Sequence, residues 1–272
     1  MPASKTAPLA YEATGTGTPV VLLHGLTFDR TTWRPIVEEL NEEAWTIAVD
    51  LPSHGESPGS LGSLEQLAAR LHNQLEELGV ERPLLVGHSF GAALASLYAA
   101  TYSSIGLVTV DQGMEVEPFA ELVQRAAPML RGPGFGEAWA MIESSLGLEI
   151  IPEPVRSRVL AAHHVDQAVV LDYWEQILTT PPAQMQAYVD SFASRIYAPV
   201  LAIFGHPVAD GDRQRYQRLT DVRIEEHPGE GHFVHLVNPT RFTASLRRFL
   251  SHCTTVALPA DHRTAPGEPA DH

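Results

Sequence analysis

Residues 84–93 read LLVGHSFGAA: an apolar segment leads into a Gly-x-Ser-x-Gly pentapeptide, and small residues follow. Gly87 and Gly91 have no Cβ, so the chain can turn sharply there and a following helix can approach the preceding strand. Such a turn projects the Ser89 hydroxyl away from the edge of a sheet. It also leaves the backbone N–H of Phe90, at the N-terminus of the new helix, free to donate to a developing negative charge. The stretch therefore predicts a strand–turn–helix unit that presents a nucleophilic serine.

Three further segments stand in chain order around this pentapeptide, and the four motifs together resemble the α/β-hydrolase fold family. Residues 20–26 (VVLLHGL) look like that family's strand followed by a His-Gly oxyanion loop. Residues 45–57 (WTIAVDLPSHGES) look like its next strand and turn, with Glu56 where the pattern often has a small residue. Residues 228–233 (PGEGHF) look like its loop carrying the catalytic histidine. The pentapeptide alone also fits an ordinary junction with a solvent-facing serine, and the other motifs argue against that interpretation.

The resemblance implies an α/β fold with a mostly parallel central sheet, flanking helices and an inserted helical cap. The sequence pattern agrees, because short apolar segments alternate with helical ones as in βαβ units. We therefore predict an α/β-hydrolase core over residues 1–112 and 196–252 and a helical cap, or lid, over residues 113–195. Residues 253–272 lack periodicity and are rich in Ala, Pro, Asp and His, so we expect a disordered C-terminal tail.

Several helix boundaries are readable in the core. Ser63 and Gln66 form a capping-box pattern at the start of a helix that ends at Gly79. The small residues after the pentapeptide predict a helix over residues 92–101 that packs closely on the sheet. Residues 239–250 have an amphipathic pattern and should form the last helix of the core.

The cap region is cut by prolines, which predict breaks at positions such as Pro118, Pro128 and Pro182. Its aromatic and methionine side chains are candidates for the roof of a pocket. We assign most of them to the cap's own core, because large apolar side chains are usually buried. Helical patterns lie between the breaks, over residues 137–146, 156–163 and 168–178.

A serine hydroxyl is a weak nucleophile near neutral pH and needs an adjacent base. Histidine suits that role because it titrates near pH 7. The chain has 13 histidines, so position must distinguish among them. His232 follows a plausible last strand over residues 222–227 and precedes the final helix, so its loop can reach over the sheet edge. We predict Ser89 as the nucleophile and His232 as its base.

The carboxylate that orients the histidine has two candidates. The family's chain order is Ser, then Asp or Glu, then His. In most members the acid follows the seventh strand, three residues after a Gly, but the third residue after Gly205 is Val208, and Asp210 comes two residues late. Asp111 ends the preceding strand, a position that some members use. We predict Asp111 as the acid and keep Asp210 as the alternative.

The remaining parts of the site follow from the resemblance. The backbone N–H groups of Phe90 and of Leu26, or else of Thr27, are expected to form an oxyanion hole. His24 is expected to pack beneath the oxyanion loop. His88, the variable residue of the pentapeptide, should point away from the pocket floor.

Composition limits the possible partners. The chain has 272 residues and a formal net charge of −15, which disfavours nucleic acid and anionic membranes. It contains no apolar stretch near the ~20 residues that span a bilayer, and Met1 to Pro8 lack the features of a signal peptide, so we expect a cytoplasmic protein. Cys253 is the single cysteine, and His163 and His164 point apart on a helix, so we expect no metal site.

These observations predict a serine hydrolase acting on a neutral, fairly apolar carboxylic ester or lactone, with no cofactor. C–C bond hydrolysis, cofactor-free perhydrolysis and lyase chemistry on the same site are alternatives. A further alternative, from another class, is a non-catalytic small-molecule receptor on this fold. The expected partner is a small-molecule substrate, and a homodimer is possible because an apolar cap face suits either a pocket or a dimer contact.

Overall fold

A computed structural model describes residues 7–40 and 43–256 of the chain. Its strands are β1 (Tyr11–Thr14), β2 (Thr18–Leu23), β3 (Ala44–Val49), β4 (Leu84–His88), β5 (Gly106–Val110), β6 (Val200–Phe204) and β7 (Val222–Glu226). They form one seven-stranded sheet in the order β1-β3-β2-β4-β5-β6-β7. β1 pairs antiparallel with β3, and every other neighbouring pair is parallel. The predicted α/β fold with a mostly parallel sheet is thereby confirmed.

The helices cover both faces of this sheet. They are α1 (Arg34–Leu40), α2 (Leu64–Glu77), α3 (Phe90–Thr101), α4 (Glu117–Leu130), α5 (Phe135–Glu143), α6 (Val155–Ala162), α7 (Gln167–Thr179), α8 (Pro182–Ala193), α9 (Asp210–Tyr216), α10 (Val234–Val237) and α11 (Pro239–Thr255). Within the described residues, none of them combines the length and the apolar character that crossing a bilayer requires.

The central strands are apolar along their whole length because both of their faces are covered. Successive side chains of a strand point to opposite faces. Leu85 of β4 accordingly packs into a core cluster with residues of α2 and α3. Its neighbours Leu84 and Val86 pack into a second cluster with residues of α1 and α11. This double burial fixes the sheet as a rigid platform for whatever lies at its edges.

The core helices begin much as the sequence predicts, but the last one, α11, extends further than predicted. The capping box at α2 is present, with the Gln66 N–H donating to Ser63 Oγ at 3.2 Å and the Ser63 N–H donating to Gln66 Oε1 at 3.1 Å. α11 runs on to Thr255, and Cys253 is buried against the sheet. The tail boundary predicted at residue 253 was therefore wrong, because Cys253 continues the apolar stripe of this amphipathic helix. Residues 257–272 lie outside the described residues.

Five helices, α4 to α8, lie between β5 and β6. Three of them match the helical patterns of the sequence, whereas α4 and α8 were not predicted because their prolines indicated breaks. Pro118 and Pro182 lie in the first turns of α4 and α8, where a missing N–H costs no intrahelical bond. The break predicted at Pro128 was wrong, since that residue lies inside α4, in its last turn.

Candidate active site

Ser89 lies in a strained turn between β4 and α3. Its backbone has φ 51° and ψ −121°, and its N–H donates to Val110 O at 3.0 Å. The turn is tight on both sides. A Cβ on Gly87 would lie 2.2 Å from Gly91 O, and a Cβ on Gly91 would lie 2.3 Å from Leu23 O. Only glycine fits at either position, so the surroundings hold the serine in a backbone conformation that it rarely adopts.

The loop after β2 lies directly beside this serine, since a Cβ on Gly25 would be 3.3 Å from Ser89 Cβ. Gly25 O accepts a hydrogen bond from His24 Nδ1–H at 2.8 Å. The C=O and N–H of a trans peptide point in opposite directions, so this bond aims the N–H of Leu26 away from His24. Among the described residues, the N–H groups of Leu26 and Phe90 have no hydrogen-bond acceptor.

The alternative oxyanion donor, Thr27, is already engaged, because its N–H donates to His54 Nε2 at 3.0 Å. His24 is fully buried beneath the loop and accepts a hydrogen bond from the Leu51 N–H on Nε2 at 2.9 Å. Burial lowers the pKa of His24 to about 3, so its ring stays neutral, with the proton on Nδ1 facing Gly25 O. The geometry thus leaves Leu26 as the free donor on this side.

The structure brings His232 together with Asp111. His232 Nδ1 lies 2.7 Å from Asp111 Oδ2, and Gly205 N–H donates to Asp111 Oδ1 at 3.0 Å. Asp111 directly follows β5, has φ 48° and is largely buried, with 6% of its side chain exposed. Because a carboxylate only accepts, this contact favours the His232 tautomer that carries a proton on Nδ1 and leaves Nε2 as a base.

Asp210 does not reach His232. It is the first residue of α9 and is exposed, while Val208 occupies the position three residues after Gly205. The Val208 N–H donates to Glu226 Oε1 at 3.0 Å, which ties this loop to β7. A second ring, the half-exposed His206, lies 3.3 Å from Asp111 Oδ1 through Nε2.

The Ser89 hydroxyl makes no hydrogen bond to His232 or to another described residue. Both groups nevertheless lie at the carboxyl edge of the sheet, where Ser89 follows β4 and His232 lies in a loop after β7. Catalytic hydrogen bonds are often long before substrate binds, so geometry of this kind is compatible with a nucleophile–base pair.

His88 is a part of the site that the sequence did not identify. Its Nε2–H donates to the backbone carbonyl of His232 at 2.9 Å, and its ring lies 4.5 Å from the His232 ring and 4.9 Å from Phe233. Burial and the neighbouring His232 and His235 hold the pKa of His88 well below its usual range, so the ring is neutral. Its place in the pentapeptide predicts that it points away from the pocket floor, but no sequence signal indicates its long-range contact with the histidine loop.

The helices between β5 and β6, which form the region predicted as a cap, contact this edge of the sheet through Tyr173. The Phe90 ring lies 4.7 Å from Tyr173, whose hydroxyl donates to Pro52 O at 2.7 Å. Apolar residues of the cap and of both loops also form one cluster, which joins Leu148, Ile151, Val159, Phe28, Phe233 and Leu236. The cap therefore packs against the oxyanion loop and the histidine loop together.

A cavity of about 280 Å³ lies between the oxyanion loop and the cap. The residues of the cavity wall include Thr27, Phe28, His54, Ala161, His164 and Val169.

Within the described ranges, no three His, Cys, Asp or Glu side chains are grouped so as to hold a metal ion. The absence of a cofactor or metal from the reaction stays a prediction.

A model of the alpha/beta hydrolase family matches residues 20–245. The chain belongs to the alpha/beta hydrolase family. The chain is 28% identical over 244 residues to the 2-succinyl-6-hydroxy-2,4-cyclohexadiene-1-carboxylate synthase of Serratia proteamaculans, covering 85% of this chain and 92% of that one.

Solved structures of the family show the same fold. A thermophilic esterase from Thermogutta terrifontis, determined with malate bound, superposes with a TM-score of 0.71 at 26% identity, covering 91% of this chain and 94% of that one. The enol-lactonase from Burkholderia xenovorans LB400 superposes with a TM-score of 0.73 at 20% identity, covering 89% of this chain and 96% of that one. At 20% identity the second likeness supports the fold alone.

Proposed function

We propose that this protein is a serine hydrolase that cleaves a neutral, fairly apolar carboxylic ester or lactone. The observation that carries the proposal is the strained turn at Ser89, which lies beside the loop of Gly25. The N–H groups of Leu26 and Phe90 next to it have no acceptor in the part of the chain that the structure describes. A serine held against two free backbone donors is the arrangement that acyl transfer requires, because the donors stabilise the oxyanion of the tetrahedral intermediate.

In this mechanism Ser89 Oγ attacks the substrate carbonyl carbon while His232 Nε2 takes its proton. Asp111 Oδ2 accepts the Nδ1–H of His232 and stabilises the imidazolium that forms. The protonated His232 then gives its proton to the leaving alkoxide, which leaves an acyl group on Ser89. A water molecule, deprotonated by His232, attacks this acyl-enzyme, and the returning proton restores the Ser89 hydroxyl. The first step needs the Ser89 side chain and His232 to approach each other on substrate binding.

The charges around the site favour a neutral substrate. Arg30, next to the oxyanion loop, pairs with Asp50 and Glu56. A substrate carboxylate bound to Arg30 would compete with Asp50, whose side chain is fully buried and would lose its charged partner. The aromatic contact between Phe90 and Tyr173 and the esterase relative at 26% identity also support an apolar ester.

The first rival is a lyase that uses His232 as a base to remove a substrate proton. The relative from Serratia proteamaculans at 28% identity is named a synthase and not a hydrolase, which supports testing a reaction other than ester hydrolysis. That enzyme's name includes a carboxylate, and the paired state of Arg30 argues against the same substrate class here. A lyase needs no acyl group on Ser89, so the two reactions differ in whether a covalent intermediate forms.

The test is burst-phase hydrolysis of p-nitrophenyl butyrate by wild type, Ser89→Ala and Ser96→Ala. Ser96 is a matched control, because its hydroxyl donates within α3 to Ala92 O at 2.7 Å and takes no part in the mechanism. We expect a burst in wild type and in Ser96→Ala, and no turnover by a folded Ser89→Ala. Turnover by Ser89→Ala near the wild-type rate would refute the mechanism. Labelling of wild type by a fluorophosphonate without ester turnover would favour the lyase or the receptor.

The cytoplasmic location, the homodimer and the absence of nucleic-acid and membrane partners stay predictions. The net charge of −15 supports the last of these, because polyanions are repelled by an acidic surface.

A further inference from the structure

Thr27 follows the oxyanion donor Leu26 and has φ 69°, a conformation that is unusual for a β-branched residue. Such a residue persists only where its surroundings hold it. The Thr27 N–H donates to His54 Nε2 at 3.0 Å, and its C=O accepts the His164 N–H at 2.9 Å. Its Oγ1 lies 2.6 Å from Leu26 O and 3.0 Å from His163 Nε2. Two of these four contacts come from the cap.

His163 closes the C-terminal end of α6 and is built into the cap on two sides. Its ring stacks on Phe28 with centroids 4.5 Å apart and planes 14° apart, and 9% of its side chain is exposed. Its Nδ1 lies 3.1 Å from Oε1 of Glu143, the last residue of α5. The ring is therefore held in place before it contacts Thr27.

The position of the proton on the His163 ring determines whether Nε2 donates to the Thr27 hydroxyl or accepts from it. Burial lowers the pKa of His163, and the neighbouring His164 lowers it further. Glu143 raises it by less than burial lowers it, so the ring is neutral near pH 7. A carboxylate only accepts, so Glu143 places the ring proton on Nδ1. Nε2 is then an acceptor for the Thr27 hydroxyl, which shares its proton between Nε2 and Leu26 O.

These contacts govern the position of the oxyanion donor. The peptide between Leu26 and Thr27 is held through the Thr27 N–H by His54 and through the Leu26 C=O by the Thr27 hydroxyl. If Thr27 relaxed to a negative φ, this peptide would rotate. The turn closed by the hydrogen bond from Phe28 N–H to Gly25 O would then open, and the Leu26 N–H would lose its direction.

We propose that His163, held by Glu143, is a positioning residue through which the cap keeps Thr27 in its left-handed turn and the Leu26 N–H aimed at the oxyanion. The proposal rests on the proposed serine hydrolase function. On this proposal the cap covers the substrate and also positions a donor of the oxyanion hole, the Leu26 N–H.

The test compares His163→Phe, His163→Gln and Glu153→Gln in steady-state hydrolysis of p-nitrophenyl butyrate. Phenylalanine keeps the stacking on Phe28 and removes Nε2, so we expect kcat to fall about tenfold with KM within about twofold, because the donor is displaced but not deleted. Glutamine offers an amide oxygen to Thr27 and should recover part of kcat. Glu153→Gln breaks an exposed pair with Arg156 elsewhere in the cap and should leave kcat unchanged.

A cycle with Thr27→Val separates positioning from a general packing defect. If His163 acts through the Thr27 hydroxyl, His163→Phe should lower kcat no further in the Thr27→Val background. Multiplied losses, or a full wild-type kcat in His163→Phe, would overturn the proposal. If wild type shows no Ser89-dependent turnover, the proposed function fails. The contact between His163 and Thr27 is then tested by the melting temperatures of wild type, His163→Phe, Thr27→Val and the double variant. Losses in melting temperature that are not additive support the contact, and additive losses overturn it.

Discussion

His235 lies beneath the loop that carries His232, and its replacement by Phe gives a quantitative test of the structure. The side chain is fully buried, with its ring 4.4 Å from Trp33 and 4.8 Å from His88. Within the described residues neither ring nitrogen has a hydrogen-bond partner. Burial, with a smaller effect from His232, lowers the pKa of His235 to about 3. Phenylalanine keeps an aromatic ring there and removes the titration.

The direction in which the free energy of unfolding changes with pH follows from proton linkage. The pKa of His235 is about 3 in the folded chain and near the ordinary histidine value of 6.5 in the unfolded chain, so acid favours the unfolded state. Wild type therefore loses stability as the pH falls from 6.5 towards 3. Between pH 7 and pH 5 the unfolded imidazole gains its proton and the folded one does not, which costs about 2 kcal/mol at 1.36 kcal/mol per pKa unit. His235→Phe lacks this loss.

The assay is urea unfolding at pH 7 and pH 5, followed by circular dichroism. At pH 7 two effects oppose each other: removing unpartnered buried nitrogens gains about 1–3 kcal/mol, and the larger ring costs about 1–3 kcal/mol. The prediction therefore concerns the difference between the two pH values, which should favour the variant by about 2 kcal/mol more at pH 5. His235→Leu packs differently and should show the same difference. A gain that is equal at both pH values in both variants would refute the reasoning.

Two further predictions concern the histidine loop. Asp111→Asn should lower kcat by about 10⁴ because an amide permits the wrong His232 tautomer, whereas Asp210→Asn should leave kcat within about twofold. The opposite order in the p-nitrophenyl butyrate assay would move the acid to α9. His88→Phe keeps a buried ring but loses the hydrogen bond to the His232 carbonyl, and we expect kcat to fall about tenfold with little change in KM. An unchanged kcat in folded His88→Phe would contradict the positioning role.

The sequence predicts the sheet and the tight turn at Ser89 well, because both depend on local signals. Fully apolar segments such as residues 84–86 predict buried parallel strands. The glycines at 87 and 91 predict a tight turn, and the structure has a backbone oxygen 2.2 Å from a Cβ built on the first of them. The capping box at Ser63 predicts the start of α2, because its two hydrogen bonds join residues only three positions apart.

The cap and the supporting contacts of the site depend on distant pairs, and the sequence does not show these. α4 and α8 escape prediction because proline is read as a break wherever it falls, although the first turn of a helix tolerates it. The contact of His88 with His232 spans 144 positions, and that of His163 with Thr27 spans 136. The sequence pattern contains no signal at such separations. It indicates candidate residues for the chemistry, and it does not show the distant side chains that contact them.

The contacts of Asp111 show how its carboxylate can lie just after β5 while the end of β6 supports it. The Asp111 N–H donates to Ile203 O at 2.8 Å, and Gly205 N–H donates to Asp111 Oδ1, so the end of β6 holds both the backbone and the side chain of Asp111. Gly205 also accepts the Gly231 N–H, and a Cβ on Gly205 would lie 1.8 Å from Gly231 O. One glycine thus fixes the carboxylate and the start of the His232 turn at the same point. A carboxylate just after β5 benefits from that shared support, because contacts with His232 and the half-exposed His206 alone would restrict its rotation less.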